Sequence, residues 1–106
     1  MSFNAILTHD GSTALIKLEG ELDALTAETF RREVERAAEA AAELRVLEMS
    51  ELSYMSSAGL RGLVFARQKL ADDVRIVLVG ANDAIEQTIR LVGFHHSVDF
   101  SDAIPE

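Results

Sequence analysis

The stretch that decides the fold is Glu48-Met-Ser-Glu-Leu-Ser-Tyr-Met-Ser-Ser-Ala-Gly-Leu-Arg-Gly-Leu63, in which an apolar strand passes through a serine-rich turn into a helix. Ser56 and Ser57 fall at the start of that helix, where a hydroxyl oxygen can accept a hydrogen bond from a free backbone N–H. Such a hydroxyl either caps the helix or carries a phosphoryl group that the helix dipole favours. Ala58 and Gly59 add almost no side chain, so we expect an open surface beside the two hydroxyls.

The helix after the serines is predicted to end near Leu70 or Ala71 and to have two distinct sides. One side is apolar and should face the core, with the stem of Arg67 lying along it and its guanidinium group reaching water. The other side carries an aromatic ring, Phe65, in line with the serine; this ring either anchors a partner or is an ordinary exposed aromatic residue. The apolar side comprises Leu60, Leu63, Val64 and Leu70, and the second side comprises Ser57, Arg61, Phe65 and Gln68.

The rest of the chain alternates strand and helix patterns after an opening hairpin, which predicts an α/β domain with a mixed sheet. The helix after the hairpin is amphipathic, and its charged residues indicate a solvated face. The predicted elements are strands at Phe3–Leu7 and Thr13–Leu18 joined through Asp10-Gly11, a helix from the N-cap Thr26 to about Ala42, a strand at Leu44–Met49, a doubly covered strand at Val74–Val79, a helix capped by Asn82, containing Ile85, Ile89 and Val92 and stopped by Gly93, and a short strand at Val98–Phe100.

Composition restricts the classes of function. The chain has 106 residues, enough for one domain, and 48% of them are hydrophobic. A net charge of −8 argues against binding nucleic acid or an anionic membrane, since both need clustered Lys and Arg. There is no Cys, no secretory signal pattern and no apolar run near the about 20 residues of a membrane span. We therefore expect a cytoplasmic protein without membrane insertion.

Catalytic and metal chemistry find little support in the sequence. His95-His96 are adjacent, so on a helix or strand they point apart, and no carboxylate stands at a ligand spacing before them. We expect a surface loop there and no metal site. The serines have no nearby histidine or lysine to activate them, and no cofactor motif is present. The chain is expected to be a substrate of enzymes and to need no cofactor.

Two motifs carry a resemblance to a known family. Tyr54-Met-Ser-Ser-Ala-Gly-Leu60, with Gly20-Glu-Leu-Asp23 upstream, resembles the signature of STAS-domain anti-sigma-factor antagonists. The resemblance implies a single STAS domain over residues 1–106, with helices packed chiefly on one side of the sheet. It places Ser57 on the phosphoacceptor and Ser56, where the family often has Asp, just before it. Ser101 to Ile104 leave room for only one helical turn before Pro105, so we do not expect the full final helix of the family.

The resemblance also implies a function. The unphosphorylated chain would bind an anti-sigma factor that is a serine kinase of the GHKL type, phosphorylation of Ser57 (or alternatively Ser56) would release it, and a serine phosphatase would restore binding. A second reading is a non-switching adaptor subunit of a lipid or solute ABC transporter. The sequence leaves the oligomeric state and the downstream target open. The partner-binding residues implied are Asp23, Ser56, Ser57, Ala58, Gly59, Leu60, Arg61 and Phe65.

Overall fold

The structure of the chain is a computed structural model that describes residues 3–38, 44–69 and 74–103. Strands and helices alternate after an opening hairpin, as predicted. The elements are β1 (Asn4–Asp10), β2 (Thr13–Leu22), α1 (Ala27–Ala38), β3 (Leu44–Met55), α2 (Ser57–Lys69), β4 (Arg75–Val79), α3 (Asp83–Leu91), a short 3-10 helix (Phe94–His96) and β5 (Asp99–Ser101).

The five strands form one sheet in the order β1-β2-β3-β4-β5. β1 and β2 are antiparallel, and each later pair is parallel, so the sheet is mixed as predicted. Asp10 pairs with Thr13, which leaves Gly11 and Ser12 as the two-residue loop of the hairpin. Gly11 takes φ 61°, a conformation that L side chains avoid and that such tight turns require.

The main core lies between one face of the sheet and the helices. β2 shows why: Ala14, Ile16 and Leu18 alternate toward that core, whereas Leu15 faces the other side and packs on a smaller apolar cluster. The prediction that helices gather chiefly on one side is confirmed. The buried helical residues of the main core are Phe30, Val34, Ala37, Leu63, Ala66, Ile85 and Ile89, and the buried residues of the smaller cluster are Val46, Val77 and Val79.

The predicted end of the third strand at Met49 is wrong, because β3 continues to Met55. Leu52 and Met55 are buried in the main core, and β2 is also longer than predicted, so that Leu22 pairs with Met55. Two register shifts in the pairing with β2 accommodate the serine-rich stretch inside a strand. The extension carries the chain to the start of α2 beside the end of β2.

The predicted start and end of α3 agree with the structure. Asn82 caps α3, its side-chain oxygen accepting a hydrogen bond from the N–H of Ile85 at 2.9 Å, and Gly93 follows the helix with φ 79°. Val92 is exposed and does not belong to the core side of α3. The predicted ends of the first two helices, near Ala42 and near Leu70 or Ala71, lie outside the described residues. Residues 102–103 are bends, and the rest of the tail also lies outside the described range.

Candidate functional site

Ser56 is the N-cap of α2. Its side-chain oxygen accepts a hydrogen bond from the N–H of Gly59 at 3.2 Å, and its carbonyl accepts from the N–H of Leu60 at 2.9 Å. Its own N–H donates to the carbonyl of Leu22 at 2.8 Å, which ties the start of the helix to the end of β2. The side-chain bond makes the hydroxyl oxygen of Ser56 the cap of the helix, and the two backbone bonds fix where the helix begins.

Ser57 is the first residue of α2, and its side chain is exposed. No residue that the structure describes hydrogen-bonds its hydroxyl. The first turn of the helix contains no acidic side chain, so the positive end of the helix dipole is not neutralised there. Of the two candidate serines, Ser57 is therefore the more exposed one and the one whose oxygen does not cap the helix.

Asp23 shapes the loop between β2 and α1. Its carboxylate accepts hydrogen bonds from the N–H groups of Leu25 at 2.9 Å and Thr26 at 3.1 Å. The Thr26 hydroxyl accepts from the N–H of Asp23 at 2.9 Å and donates to the carbonyl of Glu21 at the same distance. Thr26 precedes α1 as predicted, but these bonds turn its side chain toward the loop. The loop exposes Leu25, which is 91% accessible and which sequence reasoning missed.

The expectation that Gly59 leaves an open surface beside the two serines is wrong. The residue is buried, and a Cβ placed on it would lie 2.8 Å from Cγ of Leu22, 2.9 Å from the carbonyl oxygen of Leu22 and 3.1 Å from Cγ of Met55. The missing side chain lets the first turn of α2 lie directly on the end of β2. Gly59 thus positions Ser57 and has no surface of its own to offer a partner.

Substituting Gly59 by alanine is expected to destabilise the domain. The new methyl group would press on a backbone oxygen, which cannot move alone, so we expect a net loss of about 1–2 kcal/mol in the free energy of unfolding. Urea denaturation measures the loss. Gly62→Ala is the comparison within the same helix: outside that helix its added Cβ meets only the ring of the buried Phe30, at 2.9 Å, and no backbone atom, so we expect a smaller loss than for Gly59→Ala. A Gly59→Ala protein as stable as wild type would contradict the close approach.

A groove runs between α1 and α2 beside Ser57. Phe65 is half-buried in its wall, and the guanidinium carbon of Arg31 lies 4.5 Å from the ring centroid. Nζ of Lys69 lies 5.8 Å from the same centroid. Both cations are within range of the ring face, so Phe65 belongs to a cationic wall. The groove is lined by Ala24, Ala27, Glu28, Arg31, Ala58, Arg61, Gly62 and Phe65.

Leu60 lies on the opposite side of α2. It lines a second, more apolar groove together with Val64 and the exposed Val92. Arg61 lines both grooves and forms the ridge between them. The structure therefore brings Ala58, Arg61 and Phe65 together in one groove and places Leu60 in the other. Ser57 lines neither groove, and it neighbours both Leu60 and Arg61 on the helix surface.

The histidine pair lies in the short 3-10 helix after α3, with ring centroids 4.0 Å apart. Burial, helped by the nearby charges of His96 and Arg90, lowers the pKa of His95. Within residues 3–38, 44–69 and 74–103, no group of three or more His, Cys, Asp or Glu side chains could hold a metal ion. No helix in those same ranges is long and apolar enough to cross a membrane.

The mixed sheet, the helices on one face and the strand-to-helix junction define an α/β domain of a known kind. The model of the STAS domain family matches residues 4–106, and the chain belongs to that family. A comparison with curated protein sequences gives no significant match.

Four solved structures, two of them of SpoIIAA, illustrate the likeness. An anti-sigma factor antagonist from Mycobacterium paratuberculosis is 18% identical with a TM-score of 0.88, over 97% of this chain and 88% of that one. The anti-sigma factor antagonist SpoIIAA in its unphosphorylated form is 25% identical with a TM-score of 0.73, over 97% of this chain and 90% of that one. The Bacillus cell fate determinant SpoIIAA in the phosphorylated form is 22% identical with a TM-score of 0.71, over 94% of this chain and 91% of that one. The STAS domain of a SulP transporter from Vibrio cholerae is 21% identical (0.68; 89% and 77%).

Proposed function

We propose that this STAS domain is an anti-sigma-factor antagonist that switches partners in the cytoplasm. Unphosphorylated, it binds an anti-sigma factor that is also a GHKL-type serine kinase. Phosphorylation of Ser57 releases it, and a serine phosphatase restores the binding form. In this proposal the chain is a substrate of enzymes and not itself an enzyme.

The observation that carries the proposal is the division of roles between the two serines. The hydroxyl of Ser56 is used as a helix cap, whereas that of Ser57 is exposed and hydrogen-bonded by none of the residues described. The likeness to SpoIIAA, an anti-sigma factor antagonist known in unphosphorylated and phosphorylated forms, supports a switch by phosphorylation. Ser57 is the position that a kinase can modify without dismantling the start of α2.

Phosphorylation would change the surface and leave the fold intact. The phosphoryl group adds a charge of about −1.5 to −2. The free N–H groups at the start of α2 and the helix dipole favour an anion there, so the helix should tolerate it. A partner interface shaped around a hydroxyl would instead have to bury a dianion, and each 1.4 kcal/mol of that cost lowers the affinity tenfold. The switch therefore acts through local electrostatics at the partner interface.

Phosphotransfer from the cognate anti-sigma factor kinase tests the proposal. With radiolabelled ATP, the wild-type chain and Ser56→Ala should be labelled, and Ser57→Ala should remain unlabelled and hold the kinase constitutively. Removing the cap in Ser56→Ala costs about 1 kcal/mol of stability, so circular dichroism must first confirm that each variant is folded. Label that persists in Ser57→Ala and vanishes in Ser56→Ala would assign the site to Ser56.

The STAS domain of a SulP transporter has the same fold, which shows that the fold also serves transporters, and the second candidate is a non-switching STAS adaptor subunit of a lipid or solute ABC transporter. In that case Ser57 would be a contact residue and would carry no phosphate. The mass of the protein isolated from its native cell, together with its co-purifying partners, separates the two. A phosphate and a bound kinase support the switch, and an unmodified chain bound to a transporter ATPase supports the adaptor.

A further inference from the structure

The chain is acidic as a whole, but the charged residues of α2 are all basic. The whole chain has 18 acidic residues against 10 basic ones. The 13 residues of α2, in contrast, include Arg61, Arg67 and Lys69 and no acidic residue. Arg67 donates to the carbonyl of Val74 and is not a lining residue of the groove, which leaves Arg61 and Lys69 as the cations of α2 nearer the groove.

The groove between α1 and α2 gathers these cations with one from α1. Arg31 and Lys69 flank the ring of Phe65, and Arg61 lines the same groove. Glu28 is the one acidic side chain among the lining residues. The exposed Leu25 is not a lining residue, but it follows directly after Ala24, which is one. The surface therefore combines arginines, an aromatic ring and an exposed aliphatic side chain.

We propose that this groove binds an acidic segment of a partner protein, with Asp or Glu side chains paired to Arg31 and Arg61 and an apolar side chain against Phe65 and Leu25. Arginine pairs bidentately with carboxylates, and aromatic residues and arginines anchor protein interfaces. The inference rests on the proposed function for the role of this surface and adds the chemistry of the partner. A nucleic acid fits less well, because its backbone charge continues beyond the few cations of the groove onto the acidic remainder of a chain with a net charge of −8, whereas an acidic side chain can pair with Arg31 or Arg61 alone.

The same geometry links the groove to the switch. Ser57 and Arg61 are four residues apart on α2, so their side chains are neighbours on the helix surface. A phosphate on Ser57 would compete with the carboxylates of the partner for Arg61, in addition to repelling them. Release of the partner would then depend on Arg61 as well as on the phosphate.

Selection of binders from a phage-displayed library of random 12-residue peptides against the unphosphorylated protein tests the inference. Synthetic copies of the enriched peptides are then titrated by isothermal calorimetry. We expect enrichment in Asp and Glu together with Leu, Phe or Trp. The double variant Arg31→Glu/Arg61→Glu should lower the affinity at least tenfold, and higher salt should weaken binding to the wild-type protein.

The control is Arg32→Glu/Arg75→Glu, which has the same net charge. Arg32 is an exposed neighbour on α1 outside the groove lining, and Arg75 forms an exposed ion pair with Asp99 at the start of β4. The control should stay within twofold of wild type. Enriched peptides without an acidic bias, no enrichment, or equal losses in both double variants would overturn the inference.

Two further probes identify the class of partner. A dT12 oligonucleotide or phosphatidylglycerol vesicles that bind as tightly as the peptides, with the same dependence on Arg31 and Arg61, would show a general anion surface and also overturn the inference. None of these assays uses a kinase or a phosphate. Failure here therefore leaves the phosphorylation of Ser57 standing, and an unlabelled Ser57 leaves the acidic-partner inference standing.

Discussion

Ser57→Asp is expected to bind the anti-sigma factor kinase at least tenfold more weakly than the wild-type chain while keeping its fold. The side chain is exposed at the first position of α2, so the carboxylate needs no desolvation in the free protein. The helix dipole favours a negative charge there by about 0.3–1 kcal/mol, and stability should be unchanged or slightly higher. In the proposed complex the same carboxylate would have to be buried and would compete with the carboxylates of the partner for Arg61, and a cost of 1.4 kcal/mol already accounts for a tenfold loss.

Calorimetric titration of the kinase measures the loss, and two variants separate charge from other effects. Ser57→Asn adds a side chain of nearly the same size without charge and should retain more affinity than Ser57→Asp. Ser12→Asp adds the same charge at an exposed serine in the hairpin loop, at the opposite end of β2 from the start of α2, and should bind like wild type. Equal losses in Ser57→Asn and Ser57→Asp would assign the effect to bulk, and wild-type binding by Ser57→Asp would remove the charge argument.

Elements whose signals are local agree with the predictions made from sequence. The Val74–Val79 run is β-branched or Leu at nearly every position, and the strand it predicts, β4, is buried on both faces. Asn82 and Gly93 act as the start and stop signals of α3 because capping needs only a side chain and the next few backbone groups. The core positions of α1 follow directly from the helical spacing of Phe30, Val34 and Ala37.

The end of β3 shows where local signals fail. Serines favour turns, so the segment after Met49 reads as a loop. Leu52 and Met55 nevertheless extend the strand, because both side chains are buried and the backbone pairs with an equally extended β2. Strand pairing is a tertiary interaction, and here it overrides the local preference.

In the candidate site, too, some features are predicted by local sequence signals and others depend on tertiary contacts. The position of the serines at the start of α2 is visible in the sequence, but which hydroxyl caps the helix depends on the hydrogen bond from Gly59 to Ser56. The cationic groove needs Arg31 of α1 to meet Phe65 of α2, and no spacing along the chain specifies that contact. Leu25 likewise gives no signal, since a single apolar residue in a loop is ordinary.

Phe30→Ala is expected to cause the largest loss of stability, about 3–5 kcal/mol in the free energy of unfolding. Phe30 is fully buried in the main core, and its ring packs on the backbone of α2 at Gly62, where an added Cβ would lie 2.9 Å from the ring carbon Cδ2. Truncation leaves a cavity between the two helices that form the groove. A domain of this size has about 5–15 kcal/mol in total, so much of the stability would be lost.

A double-mutant cycle with Gly62→Ala, followed by urea denaturation, tests whether the loss comes from this contact. In the wild-type background Gly62→Ala presses on the ring, which offsets the gain of up to about 1 kcal/mol that alanine brings inside a helix. In the Phe30→Ala background the ring is absent, so the same substitution should recover most of that gain and fill part of the cavity. Phe30→Leu, which keeps a large side chain, should cost clearly less than Phe30→Ala. If Gly62→Ala has the same effect in both backgrounds, the ring and the helix backbone are not in contact, and the packing that holds α1 against α2 must lie elsewhere.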